Sequence, residues 1–209
     1  MKQSIQTRFN HQAGIAIGPI LFVVAILAIL ATAIAAGSST FATNASSETN
    51  RTNAGAIVQI GETLKLGVDR IVGLGTPITD VVIAPANVSN TVDLFSQTGG
   101  GLVPPSTALA AAPTTDTWIY SWANVASLGT NALERMAYLK VTSGVCDQIN
   151  AIAANIPAAT PSAGLDLGAN VTANITAWPT ELAGKISGCV RNLNTTTPGV
   201  WFFQVLAVQ

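Results

Sequence analysis

The chain has 209 residues, a formal net charge of −1 and only 9% charged residues, against 49% hydrophobic ones. A nucleic-acid partner is excluded by charge, because no basic stripe exists to neutralise phosphates. So sparse a charge also does not keep a free cytosolic protein apart by repulsion, and the Ala-, Gly-, Ser-, Thr- and Asn-rich composition suits a surface or assembled protein.

The chain opens on a polar leader, residues 1–14, with Lys2 and Arg8 and no acid, ending in Gly14. Ile15 to Ala36 follows without a charged residue. As a helix this run rises roughly 33 Å, enough to cross the hydrocarbon of a bilayer. Three readings fit. One is a secretory signal peptide cleaved near Ala33-Ile34-Ala35, although the apolar run is long for that role. Another is a plain anchor, with Lys2 and Arg8 holding the leader in the cytoplasm. The third removes the leader at Gly14-Ile15 and keeps the apolar helix.

The basic leader ending in Gly14, followed by Ile15 and the apolar run, resembles type IV pilins and pseudopilins. That resemblance implies cleavage by a prepilin peptidase after Gly14. It also implies residence in the inner membrane, then self-association into a helical filament through the retained helix, served by the pilus assembly machinery. One position departs from the pattern. The pilin glutamate at the fifth mature residue is replaced by Pro19. Pro19 fits the first turn of a helix, where backbone N–H groups lack partners anyway. It cannot pair with a neighbouring subunit's terminal amine, so register must come from packing. The missing acid also puts methylation of Ile15 in doubt. Gly18 and the alanines of the run leave room for close helix contact. Gly37-Ser38-Ser39 is a weak point or kink.

From Phe41 to about Leu74 the pattern is more helix. Ala54, Ile57, Val58, Gly61, Leu64, Val68, Ile71 and Val72 recur at helical spacing, with Gln59, Glu62, Asp69 and Arg70 largely off the stripe. Such a one-sided helix needs a sheet to lie on. Asn44 to Asn53 is polar all round and exposed. Gly73 to Pro77 stops the helix. Gly73-x-Gly75 follows a helix and precedes Pro77, the wrong order for a dinucleotide turn.

Short strands are expected at Val81–Ile83 and Val92–Phe95. Gly99-Gly100-Gly101 reads as a flexible loop, without the Lys-Ser/Thr of a phosphate loop. Trp118, Tyr120 and Trp122 alternate and mark a strand. Asn131–Lys140 reads as a short helix, with Asn131 as its cap and Glu134 three residues on. A second helix covers about Val145–Ile156, with Cys146, Ile149, Ala153 and Ile156 on one side and Pro157 ending it. Pro157–Asn174 reads as loop and Pro179–Lys185 as another short helix. Val200–Val208 is apolar on both faces, as in a central strand of a covered sheet.

Cys146 and Cys189 are the only cysteines, and in an exported chain an even pair reads as one disulfide. Closing a loop of about 44 residues contributes on the order of 4 kcal/mol through loop-closure entropy. The expected fold is therefore α+β. A leader (1–14) precedes a long N-terminal helix (15–76, apolar over 15–36), which packs on a small antiparallel sheet in a head (77–209) with short helices and one disulfide.

Four further segments resemble, in order and spacing, a family of small proteobacterial proteins with prepilin-like N-termini: Leu94–Gly101, Trp118-Ile119-Tyr120, Val145–Asn150 and Trp201–Leu206. The resemblance implies export and pilin-like assembly and no chemistry.

A catalytic or metal centre is not expected. The one histidine, His11, lies in the leader, which removes His-based triads and most zinc sites. The acids form no tight pair. Asp166-Leu167-Gly168 with Asn170 is a faint oxygen-ligand cluster that reads as solvated loop, and Asp147 as a first-turn acid facing the helix dipole. Sequons at Asn44, Asn50, Asn87, Asn170, Asn174 and Asn194 mostly reflect composition. Trp118, Trp122 and Trp201 read as core beneath a helix, and Trp178, before Pro179, as exposed. No cofactor is implied. The expected function is a structural subunit of a type IV pilus-like extracellular filament. The rivals are a minor tip pseudopilin of a secretion or DNA-uptake machine, and an anchored periplasmic or surface binding module that never polymerises.

Overall fold

The computed structural model describes residues 17–83, 90–106, 117–130, 132–157, 162–168 and 178–209, with side chains left out at 17–20 and 33–44. The chain divides into two units, Met1–Ala45 and Ser46–Gln209. Helix α1 is Ile17–Gly73. The backbone stays helical through 37–39, where the weak point or kink is expected.

In the first unit the described side chains are 21–32 and Ala45, and all of them are exposed. Thr32 turns its hydroxyl back to the carbonyl of Ile29, 2.8 Å away, so its one polar group is satisfied within the helix. Among the described residues no helix is long and apolar enough to cross a membrane. The membrane-spanning helix expected over 15–36 is thus not found there. Part of that run lies outside the described residues, and the part of α1 in the second unit is amphipathic rather than apolar.

The second unit is α+β. Its five-stranded sheet has the order β1-β2-β5-β4-β3, where β1 is Ile119–Ala123, β2 Glu134–Val141, β3 Gly164–Leu165, β4 Ser187–Asn192 and β5 Gly199–Ala207. β5 is central, as its two apolar faces predict. Every pairing is antiparallel except the short β3–β4 one. The expected antiparallel sheet is therefore mixed, with a parallel edge drawn from what reads as loop in the sequence.

On one face lie Ala54, Ile57, Leu64, Val68 and Ile71 of α1, in one cluster with Ala137, Leu139, Phe202 and Leu206. Gly61 permits the approach. A Cβ there falls 2.8 Å from Gln204 Oε1 and 2.9 Å from Phe202 Cζ, closer than real side chains come. Α1 ends as expected, with the N–H of Leu74 bonded to the Arg70 carbonyl and that of Gly75 to Val72. The other face of the sheet buries Met136, Tyr138, Val190, Phe203 and Val205 against Leu165, Leu167, Trp178 and Leu182.

Several local expectations are corrected. Asn131–Lys140 is not a helix. Most of it is β2, whose pairing with both β1 and β5 overrides a sequence of good helix formers. Asn131 lies outside the described residues. Val81–Ile83 and Val92–Phe95 form no strands, only a single parallel bridge, Val82 to Asp93. The helix over Val145–Ile156 is α2, Ser143–Ile149, continued by one wide π turn, Asn150–Ala154. Pro179–Lys185 contracts to a 3-10 turn, Thr180–Leu182.

Candidate functional site

The processing residues Gly14 and Ile15, with the rest of the 1–14 leader, lie outside the described residues. What the structure does place is the apolar helix segment just beyond them. Leu21, Phe22, Val24, Leu27, Ile29 and Leu30 are each between 52% and 67% exposed. At 3.6 residues per turn these positions project all round the helix, so no stripe is reserved for water. In the second unit, by contrast, the apolar stripe of α1 is buried from Ala54 to Ile71, although Val72 of the expected stripe is exposed, and the outer face carries mainly polar residues besides Leu66. Lys65 and Asp69 form an ion pair on that outer surface.

Cys146 and Cys189 are bonded, with Cα atoms 5.5 Å apart and both residues fully buried. The bond ties α2 to β4. Two polar groups missed in the sequence complete the junction. Ser162 stands with its hydroxyl 3.1 Å from Cys146 Sγ and is the donor, since a bonded sulfur carries no proton. Asn150, 2% exposed, accepts from the Cys189 N–H at 2.7 Å and donates to the Cys189 carbonyl at 3.3 Å.

Asn150 thus does the work of a neighbouring strand. Along the same edge of β4, Arg191 N–H bonds to the Ala163 carbonyl and Leu193 N–H to the Leu165 carbonyl. Every second residue from Cys189 onward is satisfied, first by a side-chain amide and then by β3 and its flank. A buried edge with orphaned N–H groups costs free energy at each one. No sequence signal marks Asn150 for this role, because the pairing spans 39 residues.

Asn192 has a related role at the other end of β4. Its Oδ1 accepts from the N–H groups of Leu167 and Asn194, and its Nδ2 donates to Thr197. Asp166, from the faint acidic cluster, accepts from Gly168 N–H at 2.8 Å and from Asn194 Nδ2. Its partner Asn170 lies outside the described residues. Among the described residues no group of three His, Cys, Asp or Glu side chains stands ready for a metal. Asp147 lies past the first turn of α2, against expectation, and is half-buried; burial pushes its carboxyl above the usual range.

The glycine run near residue 100 is tightly packed instead of loose. Gly99 and Gly100 are buried, and a Cβ on Gly99 would fall 3.0 Å from the Thr91 carbonyl oxygen and still closer to that of Asp93. Asp93 is itself fully buried and caps the turn by accepting from Phe95 N–H at 3.0 Å. Beside this turn an open groove of about 560 Å³ runs past Phe95, Thr98, Leu102 and Pro104.

Trp118 and Trp201 are buried, as expected, but on opposite faces of the sheet, so they share no binding face. Trp178 is buried too, against expectation. Its ring meets Phe203 edge-on at 4.9 Å, and its Nε1 donates to the Leu182 carbonyl. Trp122 is the partly exposed one, with the Arg135 guanidinium 4.7 Å above its ring. Of the sequons, Asn194 is drawn into the turn after β4, where its Oδ1 accepts from Thr196 N–H. Asn50 is half-buried, and the other four asparagines lie outside the described side chains.

No protein-family model, curated protein or solved structure matches this chain.

Proposed function

We propose that the chain is a structural subunit of an extracellular filament of the type IV pilus kind, assembled through the apolar helix that follows Gly14. The observation that carries this reading is the helix segment 21–32, apolar on every side and exposed on every side. Each Leu, Ile or Phe of that segment gains about 1.5–3 kcal/mol by leaving water. Two environments supply that gain in sequence: the inner membrane before assembly, and the bundled helices of other copies afterwards. The second unit needs no such partner, because the sheet covers the apolar stripe of α1 there. The disulfide suits a head exposed to an oxidising exterior.

Pro19 in place of the pilin glutamate favours a second reading, a minor subunit at the filament tip. Abundance separates the two, since a major subunit dominates sheared surface material. The deciding experiment is the intact mass and N-terminal sequence of protein sheared from the cell surface. A start at Ile15, with a mass two protons below the reduced value, supports the filament. A start near Ala36 or Gly37 means a secreted domain without the helix and refutes it. A start at Met1 in the membrane fraction favours an anchored module.

A further inference from the structure

The sheet carries one cation in an unusual position. Arg135 is half-buried, and its guanidinium lies 4.7 Å from the centre of the Trp122 ring. The two residues face each other directly across the β1–β2 pair. A β-bulge lies beside them. Arg135 pairs with Ala207 but Met136 with Val205, which leaves Leu206 as an extra residue on the central strand. Bulges of this kind re-aim a side chain, and they recur beside functional sites.

The electrostatics are incomplete. Arg135 Nε is buried without an acceptor. Among the described residues the one ion pair is Lys65–Asp69, so no carboxylate answers Arg135. The adjacent acid, Glu134, bonds through Oε2 to the Val125 N–H at 2.8 Å, and strand alternation sends it to the opposite face. Burial lowers the pKa of Arg135, the mark of a cation taken from water without a counter-charge. The aromatic face compensates in part, by cation–π attraction. Nε has no exposed surface, so an incoming acceptor meets the guanidinium at its terminal Nη groups, which no described residue bonds; a planar acid can take two parallel hydrogen bonds there.

We propose that Arg135, held over Trp122 beside the bulge at Leu206, is a receptor for a carboxylate. Two sources share that chemistry, an acidic side chain on a second copy of this chain and a free carboxylic acid. The inference does not rest on the filament reading, because it concerns the second unit alone.

The test uses the full chain, ¹⁵N-labelled, in detergent micelles, and follows the Arg Nε–Hε signals. Arg135→Lys assigns the signal. Arg51, Arg70 and Arg191, all exposed, serve as internal references. Sodium acetate is titrated against sodium chloride at matched ionic strength, and separately the protein is diluted without acetate. A saturable acetate shift at Arg135, larger than at the three references and independent of protein concentration, supports a free acid as the source. A shift that appears on concentrating the protein alone supports a second copy. In either case Trp122→Leu weakens half-saturation about threefold, as loss of an exposed cation–π contact dictates. Equal movement of all four arginines, or identical acetate and chloride responses with no concentration dependence, overturns the proposal.

Discussion

Replacing Asn150 with Ala removes two hydrogen bonds and leaves the N–H and carbonyl of Cys189 without partners. Cys189 is fully buried, so neither group recovers a bond from bulk water. An orphaned buried donor costs about 1–3 kcal/mol, and the longer carbonyl bond about 1 kcal/mol. The sum is about 2–4 kcal/mol. For a chain of this size each kcal/mol moves the thermal midpoint by about 2–4 °C, so Asn150→Ala lowers it by about 5–15 °C. The assay is thermal unfolding by circular dichroism, with both proteins kept oxidised. Ile152→Ala, on an exposed side of the same turn, is the control and stays within about 0.5 kcal/mol. If the Asn150→Ala midpoint falls by less than about 1 °C, the side-chain amide is not standing in for a strand.

Three further outcomes follow from the geometry. Replacing Cys146 and Cys189 together by Ser costs on the order of 4 kcal/mol, for a bond that spans 43 residues; chemical unfolding measures it, and a loss below about 1 kcal/mol contradicts the loop-closure account. Gly61→Val destabilises by about 1–3 kcal/mol through its clash with Phe202, whereas Gly55→Ala, with nothing within 4 Å, stabilises by up to about 1 kcal/mol; equal effects in the same melts refute the close contact. Tyr120 and Tyr138, the only tyrosines, are both held protonated by burial, with pKa values above the usual range. Below pH 10 both folded and unfolded chains keep these protons. Above it the unfolded chain loses them first, so stability falls by about 1.4 kcal/mol per pH unit for each tyrosine. Tyrosinate absorbance therefore rises together with loss of circular dichroism, and a rise near pH 10 in a still-folded chain refutes the burial.

Where local pattern and tertiary environment agree, the sequence is readable. β5 is apolar on both faces and turns out central. The α1 stripe from Ala54 to Ile71 is the face that meets the sheet, and the lone cysteine pair is bonded. The failures come where the environment overrules the local signal. Glu134, Met136, Ala137, Leu139 and Lys140 are good helix formers, yet two flanking strands claim them. Their burial is nearly continuous, so period gives no warning. Trp178, before Pro179, reads as exposed from the sequence, while its ring is needed to cover Phe203. Asn150 and Asn192 act through partners distant in sequence or in a turn that only the fold creates, and no spacing rule reaches them.

The position of β5 has a consequence for how the chain comes to be folded. Among the strands it is the last in chain order and the middle one in space. Until residues 199–207 arrive, β1 and β2 have no connection through the sheet to β3 and β4. If the head crosses a membrane as the proposed function requires, with the leader held in the cytoplasm and the C-terminus last, it delivers two separate half-sheets and holds them open until almost all of it is across. The contacts that close the sheet join residues far apart in sequence, which makes closure slow and leaves both halves exposed meanwhile.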